Sequence, residues 1–223
     1  MKNIFVVGTG PGASEYLTLQ AVTVLKNAHL IFAPNNKGKQ TALNTVSEFI
    51  TKKRIILLDF PMGSVTKETY RNASETIITE TENGTSSVFL TIGDPMLYST
   101  SVYLLPYLKR PGINLKIIPG IPSYTAAAAV AQIPLAKKGE CLTVTDHLNS
   151  SIVKNSDSIV LLKMFDTKNT AIDEFEKNNF RYVYVKRVSL KGETVLTAGD
   201  KRIISDDDYM SLMLARKKGA DIK

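Results

Sequence analysis

Short apolar runs alternate with helical hydrophobic periods through the first 120 residues of the chain. Strand-like runs are predicted at residues 4–7, 29–33, 55–58, 87–92 and 115–118. Apolar residues at helical spacing are predicted to form helices within residues 17–28, 42–50, 66–77 and 102–108. Because strands alternate with helices over short turns, this half is predicted to be an α/β layer with a mostly parallel sheet.

The second half has a different pattern. Residues 126–131 form a run of small apolar residues, which predicts a closely packed helix. Strand-like runs follow at residues 142–145, 159–163, 182–188, 194–196 and 209–215, with a helical period at 170–177. The sequence therefore predicts two α/β domains: an N-terminal domain over residues 1–119, and a smaller C-terminal domain with a mixed sheet over residues 120–223.

Three glycine-containing turns follow predicted strands of the first half. They contain Gly8, Gly93 and Gly120. Ligands of parallel α/β sheets bind beyond the carboxyl ends of the strands, where these turns fall. Three turns at equivalent positions predict one ligand crevice.

The first turn also fits a loose form of the dinucleotide-binding fingerprint, G-x-G-x-x-A. Two features argue against that interpretation. Pro11 removes a backbone N–H from the turn that would hold a pyrophosphate, and the second strand ends at residues 33–35 without an acidic residue for a ribose. Two interpretations of the first turn remain. It is either a tight turn that needs the conformational freedom of glycine or a turn that binds a ligand other than a pyrophosphate.

The other two turns each allow two interpretations. Asp94 is placed to cap a helix that begins at Pro95, and also to accept hydrogen bonds from a ligand or to take a proton. Ser123 is placed either to cap the alanine-rich helix or to bind a ligand.

Composition narrows the class of protein. The chain has 223 residues, of which 43% are hydrophobic and 22% charged, as in globular domains, and no apolar run approaches the length of a membrane span. One cysteine and two histidines exclude an intrachain disulfide and a zinc finger, and predict a reducing, cytoplasmic compartment. No metal site is predicted. The motifs of P-loop kinases, zinc hydrolases and α/β-hydrolases are absent.

The formal net charge of +7 favours an anionic partner, which can be nucleic acid, an acidic membrane surface or a polyanionic small molecule. Basic residues are scattered along the chain, so a dedicated binding patch is less favoured than solvated ends of helices and strands.

Taken together, the turns resemble those of the tetrapyrrole methylases, which are S-adenosylmethionine-dependent methyltransferases. The similarity includes G-x-G-P-G at residues 8–12, Gly93-Asp94-Pro95, residues 119–123 and Lys163-Met164, in order along nearly the whole chain. The middle turn, with Tyr98-Ser99-Thr100, is similar to that of the branch that methylates C-20 of precorrin-2 or cobalt-factor II. Residues 58–62 and 133–136 resemble the same branch.

The resemblance implies an active site in the cleft between the two domains, a homodimer, a cytoplasmic role in cobalamin biosynthesis and a tetrapyrrole substrate with several carboxylates. It implies neither a nucleic-acid nor a membrane partner. The residues implied to contact S-adenosylmethionine are Pro11, Thr91, Ile92, Gly93, Asp94, Leu97, Tyr98, Ser123, Tyr124, Met164, Arg187 and Val188.

Asp94 is the candidate catalytic base or orienting group, and Tyr98 and Tyr124 are the alternative candidates for orienting the substrate. Other possibilities stay open. Related methylases act on other tetrapyrrole positions or on ribosomal RNA, and a basic chain suits RNA. A non-catalytic α/β module that binds a nucleotide is the alternative from another class.

Overall fold

The computed structural model describes residues 1–35, 40–60, 65–164 and 167–219. The chain divides into two compact units, Met1–Pro122 and Ser123–Lys223. This division falls between residues 122 and 123. The domain boundary between residues 119 and 120 stays a prediction, because it concerns domains that fold independently. Residues 58–62 were compared with the branch that methylates C-20. Of these, residues 61 and 62 lie outside the described residues.

The first unit contains a parallel sheet. Its strands are β1 (Lys2–Gly8), β2 (Leu30–Asn35), β3 (Arg54–Asp59), β4 (Ser86–Thr91) and β5 (Ile113–Ile118). They are arranged in the order β3-β2-β4-β1-β5, and each neighbouring pair is parallel. The parallel sheet predicted for the first half is therefore confirmed.

Helices cover both faces of this sheet. They are α1 (Leu19–Asn27), α2 (Thr41–Val46), α3 (Lys67–Glu80) and α4 (Ser101–Leu108). The apolar sides of α1 and α2 pack with Val7 and Leu90 on one face, whereas those of α3 and α4 pack with Val6 and Phe89 on the other. Alternate residues of β1 and β4 thus point into two separate cores, as the two-residue period of a strand requires.

The strand order places a topological switch point between β1 and β4. From β1 the chain crosses by α1 to β2 on one side, and from β4 it crosses by α4 to β5 on the other. Adjacent strands whose connections leave in opposite directions open a crevice at their carboxyl ends, where open α/β sheets bind ligands. That edge carries two of the glycine turns.

The second unit contains the predicted mixed sheet. Its strands are β6 (Leu142–Thr145), β7 (Ser158–Leu162), β8 (Phe180–Lys186), β9 (Thr194–Thr197) and β10 (Ser211–Lys217), in the order β6-β7-β10-β8-β9. The β6–β7 pair is parallel and the other pairs are antiparallel. Its helices are α5 (Ser123–Ala131), α6 (Ser150–Asn155), α7 (Lys168–Lys177) and α8 (Arg202–Ser205).

Two strands of the second unit end earlier than predicted. β7 ends at Leu162 and β8 at Lys186, because the residues that follow, Lys163 and Arg187, have φ of 52° and 51°. A residue in the left-handed region cannot continue an extended strand. The turns that carry Met164 and Val188 therefore begin at these residues.

Candidate active site

The three glycine turns interlock in the first unit, as the sequence predicts. A Cβ atom added to Gly8 would lie 2.5 Å from the Gly93 carbonyl oxygen and 2.7 Å from the Gly120 nitrogen, and a Cβ on Gly120 would approach the Gly93 oxygen more closely still. Side chains cannot be accommodated at those separations. Glycine at positions 8 and 120 is therefore required by the contact between the turns.

Backbone hydrogen bonds join the first turn to the second. The Gly93 N–H donates to the Gly10 carbonyl oxygen at 2.8 Å, and the Gly10 N–H donates to the Gly93 oxygen at 3.3 Å. Thr9, which is fully buried, donates to the Thr91 carbonyl oxygen from its N–H at 2.8 Å and from its hydroxyl at 3.1 Å. The two turns at the switch point are thus held as one surface.

Asp94 joins the second turn to the third. Its Oδ2 accepts a hydrogen bond from the Gly120 N–H at 3.1 Å, and its Oδ1 accepts one from the Met96 N–H at 2.8 Å. The prediction that Asp94 caps a helix starting at Pro95 is wrong, since α4 begins only at Ser101. The intervening Tyr98 has a φ of 47°, and an α-helix does not continue through a left-handed residue.

Gly93 presents the open side of this cluster. Its φ is +70°, and a Cβ built on it would meet no atom of the described chain within 4 Å. Gly93 itself is buried, but the space into which a Cβ would point is open, and a side chain there would occupy that space. This arrangement fits a small-molecule cofactor that approaches the main chain closely.

A chain of hydroxyl groups, which was not predicted from the sequence, supports the second turn. The Thr91 and Ser99 hydroxyl oxygens are 2.7 Å apart, and Ser99 and Ser101 are joined at 2.8 Å. The Ser101 hydroxyl donates to the Pro95 carbonyl oxygen at 2.5 Å. The sequence signal for this chain is the presence of small polar residues at positions 91, 99 and 101 within a largely apolar segment. Hydroxyl groups that are buried in such a segment need hydrogen-bond partners, and they find them in one another.

The remaining predicted residues of the first unit lie on the same edge. Pro11 is buried in the first turn, whereas Ile92 and Leu97 are partly buried in the second. The Tyr98 side chain is 41% exposed. The structure therefore brings the predicted residues of this unit together around the Gly93 turn.

The predicted residues of the second unit occupy two places. Met164 follows β7, and Arg187 and Val188 follow β8. Because β7 and β8 both pair antiparallel with β10, they run parallel and end at the same edge of their sheet. Met164 and Val188 are buried there. Ser123 and Tyr124 begin α5.

Arg187 is held against the segment that precedes β10. Its N–H donates to the Met210 carbonyl oxygen at 2.7 Å, and its Nε donates to the carboxylate of Asp208. Asp208 also accepts from the Met210 N–H at 2.9 Å. Burial raises the pKa of Asp208, but the hydrogen bonds from Met210 and Arg187 outweigh it and hold that pKa below the usual value.

A second carboxylate, Asp206, lies beside this contact. It accepts hydrogen bonds from Lys186, from the Tyr184 hydroxyl at 3.1 Å and from the Asp208 N–H at 2.9 Å. Burial raises the pKa of Asp206, but these hydrogen bonds bring it below the usual value. Burial is also the main cause that raises the pKa of Tyr184 to about 12, so its phenol stays protonated as a donor.

These two carboxylates are expected to make the second unit sensitive to acid. A carboxyl group whose pKa is lowered by folding stabilises the fold above its unfolded value near 4, and that stability is lost as the pH falls through the folded pKa. We expect Asp206→Asn to lower the free energy of unfolding at pH 7 by about 1–3 kcal/mol and to reduce its decline below about pH 4. Urea unfolding at several pH values measures both the free energy of unfolding at pH 7 and its decline at low pH.

The matched control is Asp173→Asn, which removes an exposed carboxylate from α7. We expect it to follow the wild-type pH dependence. Parallel pH profiles for the wild type and Asp206→Asn would contradict the assignment of acid sensitivity to Asp206.

Of the seven non-glycine residues with positive φ in the described chain, four lie in segments that the resemblance implicates, whereas Lys52, Gln132 and Asn179 lie elsewhere. The four are Tyr98, Lys163, Arg187 and Ser189. Such conformations cost of order 1 kcal/mol or more each and cluster where structure serves a site. Each of the four is, or directly adjoins, a residue predicted to contact the cofactor.

Metal clusters and membrane-spanning helices are both absent from the described residues. Across residues 1–35, 40–60, 65–164 and 167–219, no group of three or more histidine, cysteine or acidic residues is placed to hold a metal ion. None of the helices in those ranges combines the length and apolar character that crossing a bilayer requires.

Fold and site together define a class: an α/β protein whose glycine turns pack together at the switch point of a parallel sheet. The sequence model of the Tetrapyrrole (Corrin/Porphyrin) Methylases matches residues 3–200, and the chain belongs to this family. The resemblance recognised in the motifs is confirmed. With the family, the class of enzyme is confirmed as an S-adenosylmethionine-dependent methyltransferase.

Curated relatives are similar over most of the chain. A probable cobalt-precorrin-2 C(20)-methyltransferase of Methanocaldococcus jannaschii is 31% identical over 226 aligned residues, covering 97% of both chains. The cobalt-precorrin-2 C(20)-methyltransferase of Salmonella typhimurium is 30% identical over 73% of both. A precorrin-6A synthase (deacetylating) of a Sinorhizobium species is 29% identical over 73% of this chain and 71% of that one.

Solved structures share the fold. A cobalt precorrin-4 methyltransferase superposes with a TM-score of 0.74 at 17% identity, covering 96% of this chain and 94% of that one. The uroporphyrin-III C-methyl transferase of Thermus thermophilus, complexed with S-adenyl homocysteine, gives 0.72 at 18% identity over 96% and 97%. The two-sheet α/β architecture predicted from the sequence is confirmed.

Proposed function

We propose that this protein transfers the methyl group of S-adenosylmethionine to C-20 of precorrin-2 or cobalt-factor II during corrin-ring biosynthesis. The interlocked turns at Gly8, Gly93 and Gly120 carry the proposal for the cofactor, because they pack together at the switch point and leave open space beside Gly93. The substrate is proposed from the C(20)-methyltransferases that match the chain at 30–31% identity.

The proposed cofactor contacts are those implied by the resemblance, from Pro11 and the Gly93 turn in the first unit to Met164, Arg187 and Val188 in the second. S-adenosylmethionine supplies a methyl group on a positively charged sulfur. The open space beside Gly93 and the partly buried Ile92 and Leu97 are suited to hold an organic molecule by close contact and to exclude water from it.

The chain's main task in this reaction is positioning. A methyl acceptor must lie at about 3 Å from the methyl carbon and in line with the departing sulfur. C-20 is a meso carbon made nucleophilic by the adjoining pyrroles, so the attack itself requires no strongly basic side chain. A proton must leave C-20 afterwards if conjugation is to be restored, and Asp94 and Tyr98 are the candidates to orient the ring or take that proton.

For Asp94 the geometry favours positioning. Both of its carboxylate oxygens accept hydrogen bonds from backbone N–H groups, and one of these belongs to Gly120 in the third turn. Removing the carboxylate would leave two N–H groups without their acceptor and would release the third turn from the second. We therefore propose that Asp94 maintains the surface on which the cofactor lies.

We expect Asp94→Ala to lower kcat/KM for S-adenosylmethionine by at least about tenfold, because loss of either role, positioning or proton removal, lowers that ratio. Asp94→Asn separates the two roles, because an amide has one acceptor oxygen and keeps only one of the two hydrogen bonds. If Asp94 positions the turns, Asp94→Asn mainly raises KM for S-adenosylmethionine. If it removes the proton, the same change mainly lowers kcat.

Steady-state kinetics at varied concentrations of S-adenosylmethionine measure kcat and KM, and so distinguish the two roles of Asp94. Asp157→Asn is the control, because Asp157 also accepts a hydrogen bond from a backbone N–H, that of Cys141 at 2.8 Å, and is not among the residues implied to bind the cofactor. We expect nearly unchanged kinetics for the control. Wild-type kcat and KM in Asp94→Ala would exclude Asp94 from both roles.

Incubation with S-adenosylmethionine and either metal-free or cobalt-loaded substrate tests the proposed function. We expect the substrate mass to increase by one methylene unit and its absorption spectrum to shift, in at least one of the two reactions. Fragmentation that places the methyl elsewhere would support the second candidate, methylation at another tetrapyrrole position, which the similarity to the precorrin-6A synthase favours. Methyl transfer to ribosomal RNA alone would reject both.

We also propose a cytoplasmic homodimer that acts on a carboxylate-rich small molecule without nucleic-acid or membrane partners. The family resemblance supports the homodimer, and the scarcity of cysteine supports a reducing compartment. The net charge of +7 suits the carboxylates of the substrate. Light scattering on the purified protein measures the oligomeric state.

A further inference from the structure

A strained turn follows β8 and carries two of the residues proposed to contact the cofactor. Arg187 and Ser189 have φ of 51° and 60°, and Val188 between them is buried. The Leu190 N–H donates to the Arg187 carbonyl oxygen at 2.8 Å and closes the turn. Non-glycine residues stay in the left-handed region only where surrounding contacts hold them there. The conformation of this turn, residues 187–190, therefore depends on what holds Arg187.

Asp208 and Met210 hold Arg187 through three hydrogen bonds that form a closed ring. The Arg187 N–H donates to the Met210 carbonyl oxygen at 2.7 Å, and the Arg187 Nε donates to Oδ2 of Asp208. The Met210 N–H donates to Oδ1 of Asp208 at 2.9 Å. One carboxylate thus fixes the side chain of Arg187 directly and its main chain through Met210.

Charge and burial make this ring strong. The Asp208 side chain is 15% exposed, whereas that of Arg187 is 51% exposed. Hydrogen bonds between ionised partners are stronger than those between neutral groups, and shielding from water strengthens them further. The ring is therefore suited to offset the strain of a left-handed arginine and to keep the turn in one conformation.

The segment that carries Asp208 is also anchored to the sheet without it. Asp206 accepts hydrogen bonds from Lys186 and, at 3.1 Å, from the Tyr184 hydroxyl. Ser211, which begins β10, pairs with Lys186 at the end of β8. Loss of the Asp208 carboxylate is therefore expected to release the turn while the segment stays docked on the sheet.

We propose that Asp208 is a positioning residue for cofactor binding, which holds Arg187 and Val188 in the conformation that meets S-adenosylmethionine. This role rests on the proposed function, because it takes residues 187–190 to lie against the cofactor. The carboxylate acts on the cofactor through Arg187 rather than by direct contact. Its loss should therefore weaken cofactor binding and leave the chemical step nearly unchanged.

Calorimetric titration with S-adenosylhomocysteine tests this role. We expect Asp208→Asn to weaken binding by about tenfold, because the amide keeps an acceptor for the Met210 N–H but loses the charged partner of Arg187. In steady-state kinetics we expect KM for S-adenosylmethionine to rise by a similar factor and kcat to change by less than about twofold. Wild-type affinity in Asp208→Asn would overturn the proposal.

Asp200→Asn is the matched control. Asp200 also accepts a hydrogen bond from the backbone N–H two residues later, that of Arg202 at 2.9 Å, and one from an arginine side chain, at 2.7 Å. That arginine is Arg202 itself, which begins α8 and is not among the residues implied to bind the cofactor. We expect Asp200→Asn to bind S-adenosylhomocysteine as the wild type does.

A double-mutant cycle shows whether Asp208 acts through Arg187. In the background of Arg187→Met, which removes the guanidinium, we expect Asp208→Asn to weaken binding by less than about twofold. An equal effect of Asp208→Asn with and without the guanidinium would overturn the proposal, because Asp208 would then act by another route.

Amide hydrogen exchange of the wild type gives a test that depends on no variant. S-adenosylhomocysteine is expected to slow exchange at the Arg187 and Leu190 amides, and unchanged exchange at both would overturn the proposal. A wild type that binds S-adenosylhomocysteine but does not methylate C-20 would reject the proposed function alone. Methylation of C-20 together with wild-type affinity in Asp208→Asn would reject the positioning role alone.

Discussion

Gly120→Ala is expected to destabilise the first unit by about 3 kcal/mol or more, the upper range for inserting a methyl group into a packed interior. The added Cβ would lie 2.8 Å from the Gly8 carbonyl carbon and nearer still to the Gly93 oxygen. Both neighbours are backbone atoms of other turns, so neither can move aside by changing a rotamer. The turns would have to separate, and the hydrogen bond from Gly120 to Asp94 would be strained with them.

Urea unfolding followed by circular dichroism measures this loss. Gly112→Ala is the matched control, because Gly112 lies just before the strand that Gly120 follows. Gly112 has a φ of +84° and open space around its Cβ position, so alanine there costs only conformational strain, about 1–2 kcal/mol. Equal destabilisation by the two variants would show that the turns are not packed as described.

Gly93→Val is expected to weaken binding of S-adenosylhomocysteine by about 10- to 100-fold, while the protein remains folded. The Cβ position of Gly93 faces open space, with no described atom within 4 Å apart from its two chain neighbours, so valine is the substitution that enters this space. Its side chain would occupy the space in which we propose that the cofactor lies. The φ of +70° adds strain that lowers stability without acting on the ligand directly.

Gly84→Val separates the strain from the steric effect. Gly84 precedes β4 as Gly93 follows it, has a φ of +80° and also has no atom within 4 Å of its Cβ position. We expect the two variants to lose similar stability and only Gly93→Val to lose cofactor affinity by calorimetry. Unchanged affinity in Gly93→Val would remove this turn from the cofactor site.

Secondary structure was largely predictable because the spacing of hydrophobic residues along a segment indicates a helix or a strand, and this spacing is read from the local sequence. Alternate residues of β1 and β4 face two different cores, and the corresponding apolar runs were recognisable. The ends of elements were less predictable. No sequence signal indicated that Tyr98, Lys163 and Arg187 adopt left-handed conformations, since tertiary contacts must hold a non-glycine residue there.

The candidate site was predictable in its glycines but not in its connections. Gly8, Gly93 and Gly120 were recognised as turns at equivalent ends of strands, and they are in contact. Asp94 was interpreted as a possible helix cap, whereas its carboxylate joins two turns separated along the chain. Such a partner is set by strand order, which a single sequence does not encode locally.

By itself, the sequence determined the two α/β halves, the three glycine turns and the family, because each depends on residue type and spacing along the chain. The tertiary structure alone decided that β1 and β4 are neighbours at a switch point, that Gly93 faces open space and that Asp208 holds Arg187. These features arise from pairing between distant segments. Their energies depend on atoms brought together only when the sheets form.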